Sequence, residues 1–135
     1  MYVFCSNSLY NRKSCTAFFV KKVVKWCNTE MYDLIMSIYH FPSIIFTTYA
    51  TLISSSDIID FAIKHDNIHV ITAPALDGRF DETAINTIHD NGMLLFTHSL
   101  NVYTDITNEK ARGVYGIYTD LLLPKDMEIY ERIDN

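Results

Sequence analysis

The side chains able to do chemistry in this chain gather where short β-like runs end. His98, Ser99 and Asn101 close one run, Thr47, Thr48 and Tyr49 close another, and Thr119 and Asp120 close the last. Thr72 and Pro74 end a further run, with Asp77 and Arg79 just beyond, and Cys27, Asn28 and Glu30 follow the first. His98 is the member that can exchange a proton near neutral pH, as an acid or a base. No carboxylate stands beside it in sequence, so it reads first as a hydrogen-bonded wall residue and second as a group with a direct substrate role. Asp120 reads as the cap of the turn that follows it. His40, His65, His69 and His89 fall at helix ends or loop edges and read as surface residues.

Several chemistries are absent as motifs. There is no G-x-G-x-x-G, no G-x-x-x-x-G-K-[ST], no G-x-S-x-G and no H-E-x-x-H, which removes the usual dinucleotide, nucleoside triphosphate, serine hydrolase and zinc protease readings. Carboxylates do not cluster as they would for a hard cation. Cys5, Cys15 and Cys27 are odd in number and lack C-x-x-C spacing, so neither a disulfide framework nor a zinc site is expected. No metal ligand and no catalytic residue is assigned from the residues themselves.

The elements that must position these groups follow from two alternating patterns. Strands are expected at Val20–Trp26, Ser43–Tyr49, Ile68–Ala73, Met93–Ser99 and Tyr115–Thr119. Helical periodicity fills the gaps. Met31, Leu34, Ile35 and Ile38 share one face after Thr29, and Ile58, Ile59, Ala62 and Ile63 follow a cap at Ser55 or Ser56. Asp81 caps a third helix with Ala84, Ile85 and Ile88 inward and Gly92 beyond its end; a short fourth turn fits Asn108–Arg112, closed by Gly113. Strand centres recur about every 21 to 25 residues with one helix in each gap, the spacing of parallel strands joined by helical crossovers. Most runs lack in/out alternation, as expected for strands covered on both faces. The fold class is α/β with parallel βα repeats. Residues 1–19 stand outside this rhythm as an irregular remnant, although Tyr2–Cys5 can form a strand. Residues 20–124 carry the repeats, and 125–135 form a charged C-terminal tail.

Composition narrows the class further. With 135 residues, 49% hydrophobic and 20% charged, this is one globular domain. A net charge of -5 argues against a nucleic-acid partner, whose phosphates are bound by clustered Lys and Arg. Arg12, Lys13, Lys21, Lys22 and Lys25 are too few and too interrupted to form a binding stripe. No apolar run approaches the ~18 residues of a membrane span, and the N-terminus lacks the pattern of a signal peptide. The expected compartment is cytoplasmic.

The phrase Leu95-Phe96-Thr97-His98-Ser99-Leu100-Asn101, followed by Gly113-Val114-Tyr115-Gly116-Ile117-Tyr118-Thr119-Asp120, resembles the closing signature of glycerophosphodiester phosphodiesterases. In that family the seventh strand ends in a Trp- or His-Thr-x-Asn phrase and the last unit reads Gly-Val-Asp/Tyr-Gly-Ile-x-Thr-Asp. Asn28–Tyr32 and Ile44–Tyr49 are similar to its middle strands. The resemblance spans about residues 20–124 and implies the fourth to eighth strands of a (β/α)₈ TIM barrel, that is, its C-terminal half. A whole barrel takes roughly 250 residues.

The family hydrolyses glycerophosphodiesters to glycerol 3-phosphate and an alcohol. It uses two histidines and a divalent cation, Ca or Mg, held by acidic residues in His-Arg, Glu-x-Asp and His-Asp phrases of the first three strands. The resemblance therefore implies a phosphoric diester hydrolase fragment of lipid metabolism that lacks its catalytic half and is inactive alone, with no cofactor of its own. His98 and Asn101 would line the substrate pocket, with Tyr49 as a further substrate contact. Two open sheet edges and an uncovered inner face would call for a homodimer or for the missing N-terminal half-barrel as partner. A small flavodoxin-like α/β binding or regulatory module is the alternative.

Overall fold

A computed structural model describes residues 2–5, 23–24, 29–48 and 53–122. Ten elements follow in chain order: β1 (Tyr2–Cys5), β2 (Val23–Val24), α1 (Thr29–Ile38), β3 (Ile44–Thr47), α2 (Ser55–Ile63), β4 (Ile68–Pro74), α3 (Glu82–Asp90), β5 (Leu94–His98), α4 (Tyr103–Ala111) and β6 (Gly116–Thr119). They build one sheet in the order β1-β6-β5-β4-β3-β2. From β2 to β6 every neighbouring pair is parallel and joined through a helix, with strands side by side in their chain order. The expected α/β class with parallel βα repeats is what the chain forms.

Local chemistry explains the boundaries. Ser54, rather than Ser55 or Ser56, caps α2: its Oγ accepts from the Asp57 amide at 3.2 Å, satisfying one of the donors orphaned at a helix start. Asp81 caps α3 as expected, accepting from the Ala84 amide at 2.9 Å. Gly92 and Gly113 take φ of 72° and 96°, the left-handed conformation in which a Cβ is strained. The fourth helix is longer than its sequence signal, starting at Tyr103 without a side-chain cap.

The sheet has two apolar faces. Ile44, Phe46, Ile71, Leu95 and Ile117 look toward the helices and pack with Tyr32 of α1, Ile58, Ile59 and Ala62 of α2, Ala84, Ile85 and Ile88 of α3, and Ile106 of α4. All four helices thus contribute to one face. The other holds Ile45, Val70, Phe96 and Tyr118 as a separate cluster. At Gly116 a Cβ would lie 2.7 Å from the Phe96 ring, so the missing side chain is what lets that ring lie across β6.

Three expectations are corrected. On α1, Leu34 and Ile38 are 55% and 79% exposed, and the inward positions are Tyr32, Ile35 and Met36. Ile35 turns inward as expected, and packing set Tyr32 and Met36 beside it in place of Leu34 and Ile38. The sheet edge at β6 is not open, because β1 pairs with it antiparallel. Nor is the second face uncovered: Ile45, Val70, Phe96 and Tyr118 are all buried. Among the described residues no helix is long and apolar enough to cross a membrane.

Candidate functional site

In parallel α/β sheets ligands meet the carboxyl ends of the strands, and among the described sequence-expected residues Thr47, His98 and Thr119 end strands there. His98 is the last residue of β5, opposite Pro74 of β4. Its carbonyl accepts from the Ala75 amide at 2.8 Å, which fixes the strand end. The ring is half-buried, and loss of water pushes its pKa below the ordinary histidine value, favouring the neutral imidazole near pH 7.

Asn101 is held in a way that its spacing did not reveal. Its Oδ1 accepts from Thr119 Oγ1 at 2.9 Å, from the Asp120 amide at 3.0 Å and from the Leu121 amide at 3.3 Å. Thr119 Oγ1 in turn accepts from the Leu122 amide at 3.2 Å. Thr119 is fully buried. Asp120 itself is exposed, and Thr119 with Asn101 caps the start of this turn. The oxygen of Asn101 is committed to the Thr119 hydroxyl and to two backbone amides, so the residue fastens the loop after β5 to the end of β6. Tyr49 lies outside the described residues.

Elsewhere on this edge Thr48 folds back on β4, its amide and Oγ1 both donating to the Thr72 carbonyl at 2.8 and 3.0 Å. Thr72 Oγ1 is buried without a hydrogen-bond partner. Register places Thr47, Thr72, Phe96 and Gly116 in one row across the sheet.

Asp77 and Arg79 form a closed unit. Arg79 Nε donates to both Asp77 oxygens at 3.0 Å, Nη2 to Oδ2 at 2.5 Å, and Nη1 to the Ile53 carbonyl at 3.0 Å. The guanidinium holds the Asp77 carboxyl below the usual carboxylate range. Behind it, Glu109 on α4 is 1% exposed and pairs through Oε1 with Arg112. Arg112 also donates to the Phe80 carbonyl at 2.6 Å.

A divalent cation does not fit this donor set. Both oxygens of Asp77 serve Arg79, the oxygen of Asn101 serves the β6 turn, and among the described residues no three His, Cys, Asp or Glu converge. The His-Asp dipeptide does occur twice, as His65-Asp66 and His89-Asp90. The first pair lies between α2 and β4 and the second at the end of α3, where the chain returns to the amino ends of strands. Of the four histidines read as surface residues, His40, His69 and His89 are exposed, while His65 is half-buried. Its ring packs against Tyr32 and Phe61 at 4.5 and 4.2 Å between centroids.

Two surface grooves run between α2 and α3. One of about 310 Å³ includes Ser55, Ser56, Asp60 and Asp81; the other, of about 240 Å³, includes Asp66, His69, Asn91 and Gly92. Neither takes in His98 or Asn101. No family model, no curated protein and no solved structure matches this chain.

Proposed function

We infer that this chain is the C-terminal part of a glycerophosphodiester phosphodiesterase-like barrel, without catalytic activity of its own. The observation that carries the reading is the link between the two halves of the resembling phrase. Asn101, which ends the first half, accepts hydrogen bonds from Thr119 and Asp120, which end the second. A motif split by a helix has reason to keep both halves when they are bonded in space.

The sheet order supports the same reading. Each parallel strand lies beside its chain neighbour, with all four helices contributing to one face. A barrel winds in this single direction, whereas a flavodoxin-like sheet reverses its order after the first strand. In the parent family the first three strands would bring the histidines, the acids and the divalent cation. Here His98 would supply a neutral imidazole to the wall of that pocket, and Asn101 would hold its rim.

The test is a chimera. Residues 20–124 are fused behind the first three strands of an active family member, and hydrolysis of a glycerophosphodiester is followed with added Ca²⁺ or Mg²⁺. The chimera is expected to release glycerol 3-phosphate and to lose kcat/KM on His98→Ala, while the present chain alone releases none. A folded but inactive chimera, or turnover by the chain alone, would sink the reading.

A further inference from the structure

Three large aliphatic side chains stand in water at the carboxyl end of the sheet, one on each of three consecutive loops. Leu76 follows β4, Val102 follows β5 and Leu121 follows β6, and they are 59%, 54% and 72% exposed. Among the described residues the other large exposed apolar side chains are Leu34, Ile38, Tyr39 and Ile63, which belong to α1, its end and α2. The three loops are laced together. The Ala75 amide donates to the His98 carbonyl at 2.8 Å, the Leu100 amide to the Tyr118 carbonyl at 2.9 Å, and the Leu121 amide to Asn101 Oδ1 at 3.3 Å. Leu76, Val102 and Leu121 thus form one rim on loops fixed to each other.

Local chemistry disfavours two of the three where they stand. Leu76 has a φ of 57°, in the left-handed region that suits glycine or asparagine. Val102 is the N-cap of α4 and gives it no side-chain hydrogen bond, at a position where Ser, Thr, Asp or Asn would stabilise the helix. Conflicts of this kind between a residue and its backbone concentrate where a function is served.

We propose that this rim docks on the surface of a zwitterionic lipid layer. The form of the rim selects the occupant. Its side chains rise from separate loops as single tips, and the two grooves between α2 and α3 do not include them. A protein partner requires a continuous, shape-matched patch, whereas fluid acyl chains close around each tip and gain with every apolar area they cover. Charge selects the kind of lipid. Residues 97–109 and 113–122 hold no Lys or Arg, Arg79 is committed to Asp77 and to the Ile53 carbonyl, and Asp120 is exposed. Such a rim gains nothing from anionic headgroups, which are held by clustered cations. The proposal stands on these side chains and does not rest on the phosphodiesterase reading.

The experiment mixes the full-length chain with phosphatidylcholine vesicles and separates bound protein by flotation. Leu76→Asn/Val102→Ser/Leu121→Ser makes all three tips polar, with the first two suited to their backbone positions. The parent is expected to float with the vesicles, and the triple variant to bind at least about tenfold more weakly. Its thermal unfolding midpoint is expected to equal or exceed that of the parent, so that affinity and stability move in opposite directions. Leu34→Ser/Ile38→Ser, on α1, is expected to bind as the parent does. A folded parent that stays unbound, or binds only when anionic lipid is added, would overturn the proposal. So would an equal loss of binding in both variants. A triple variant that melts below the parent would assign the three side chains to the fold. A parent that sediments as a dimer, broken by the triple variant, would give the rim to a second copy of the chain; either result also overturns it.

Discussion

Asn101 Oδ1 lies 2.9 Å from Thr119 Oγ1, across 18 residues of sequence. This bond fastens the loop after β5 to the end of β6, and two backbone amides converge on the same oxygen. Asn101→Ala would leave the buried Thr119 hydroxyl without its acceptor, while the two exposed amides would turn to water. A typical net hydrogen bond is worth ~1 kcal/mol and a stranded buried donor costs ~1–3 kcal/mol. Unfolding in urea is expected to show a loss of about 2–3 kcal/mol, and Asn101→Asp, which keeps an oxygen acceptor, a smaller one. Equal stability of Asn101→Ala and the parent would show that the turn is held by other means.

Arg112 is the partner of a carboxylate that has almost no access to water. Removing one member of a buried pair leaves the other charge unsupported, at a cost of about 3–5 kcal/mol. Arg112→Met is expected to fall in that range, with part of the loss recovered in Arg112→Met/Glu109→Gln. Equilibrium unfolding of the three proteins reads the comparison, and additive effects in the double variant would disprove the coupling.

Stability should decline on acidification in two stages with the same sign. His98 has a folded pKa below its unfolded 6.5, so the unfolded state binds more protons in that interval and stability is lost as pH falls from 6.5 through the folded value. Asp77 is likewise lowered from 3.8, chiefly by Arg79, and its contribution is complete above 3.8 and lost as pH falls through its folded value. His98→Gln should flatten the first stage and Arg79→Ala should weaken the second. A histidine proton titration of His98 centred above 6.5 would contradict the first assignment.

Tyr32 on α1 donates to Asn67 Oδ1 at 2.5 Å, and Asn67 Nδ2 donates to the Phe41 carbonyl at 2.8 Å. This small network fastens α1 to the turn before β4. Tyr32→Phe is expected to cost ~1–3 kcal/mol, because Asn67 keeps a buried acceptor without its donor. Burial raises the phenol above its usual 10.0. The folded state therefore holds the proton longer, and stability should drop as pH rises beyond 10.0. In Tyr32→Phe this alkaline drop should shrink; an unchanged alkaline limb would assign it elsewhere.

Gly116→Ala would place a methyl 2.7 Å from three atoms of the Phe96 ring. Overpacking of this kind costs roughly 1–3 kcal/mol. Thermal unfolding should show the loss, and Gly116→Ala/Phe96→Leu should recover part of it. No recovery would mean that backbone freedom, and not the ring, is what glycine supplies there.

The alternation of β-branched runs with helical stripes determined by itself that this chain forms parallel βα repeats. That signal is local: a strand buried on both faces must be apolar throughout, and a helix over a sheet must show a 3.6-residue stripe. The cap at Asp81 and the left-handed Gly92 and Gly113 were legible for the same reason, since each is set by neighbours within a few residues. His98 was legible as a strand-end residue, but its burial was not. What Asn101 does, how Arg79 reaches the Ile53 carbonyl, and which residues of α1 turn inward were decided only by the tertiary structure. Each depends on partners brought together from distant segments, such as Thr119 for Asn101, Ile53 for Arg79 and Asn67 for Tyr32. The antiparallel seat of β1 on β6 is of the same kind. A four-residue strand carries no record of which edge it will meet, because backbone hydrogen bonds are the same for every sequence, and the choice falls to whichever edge the rest of the fold leaves open.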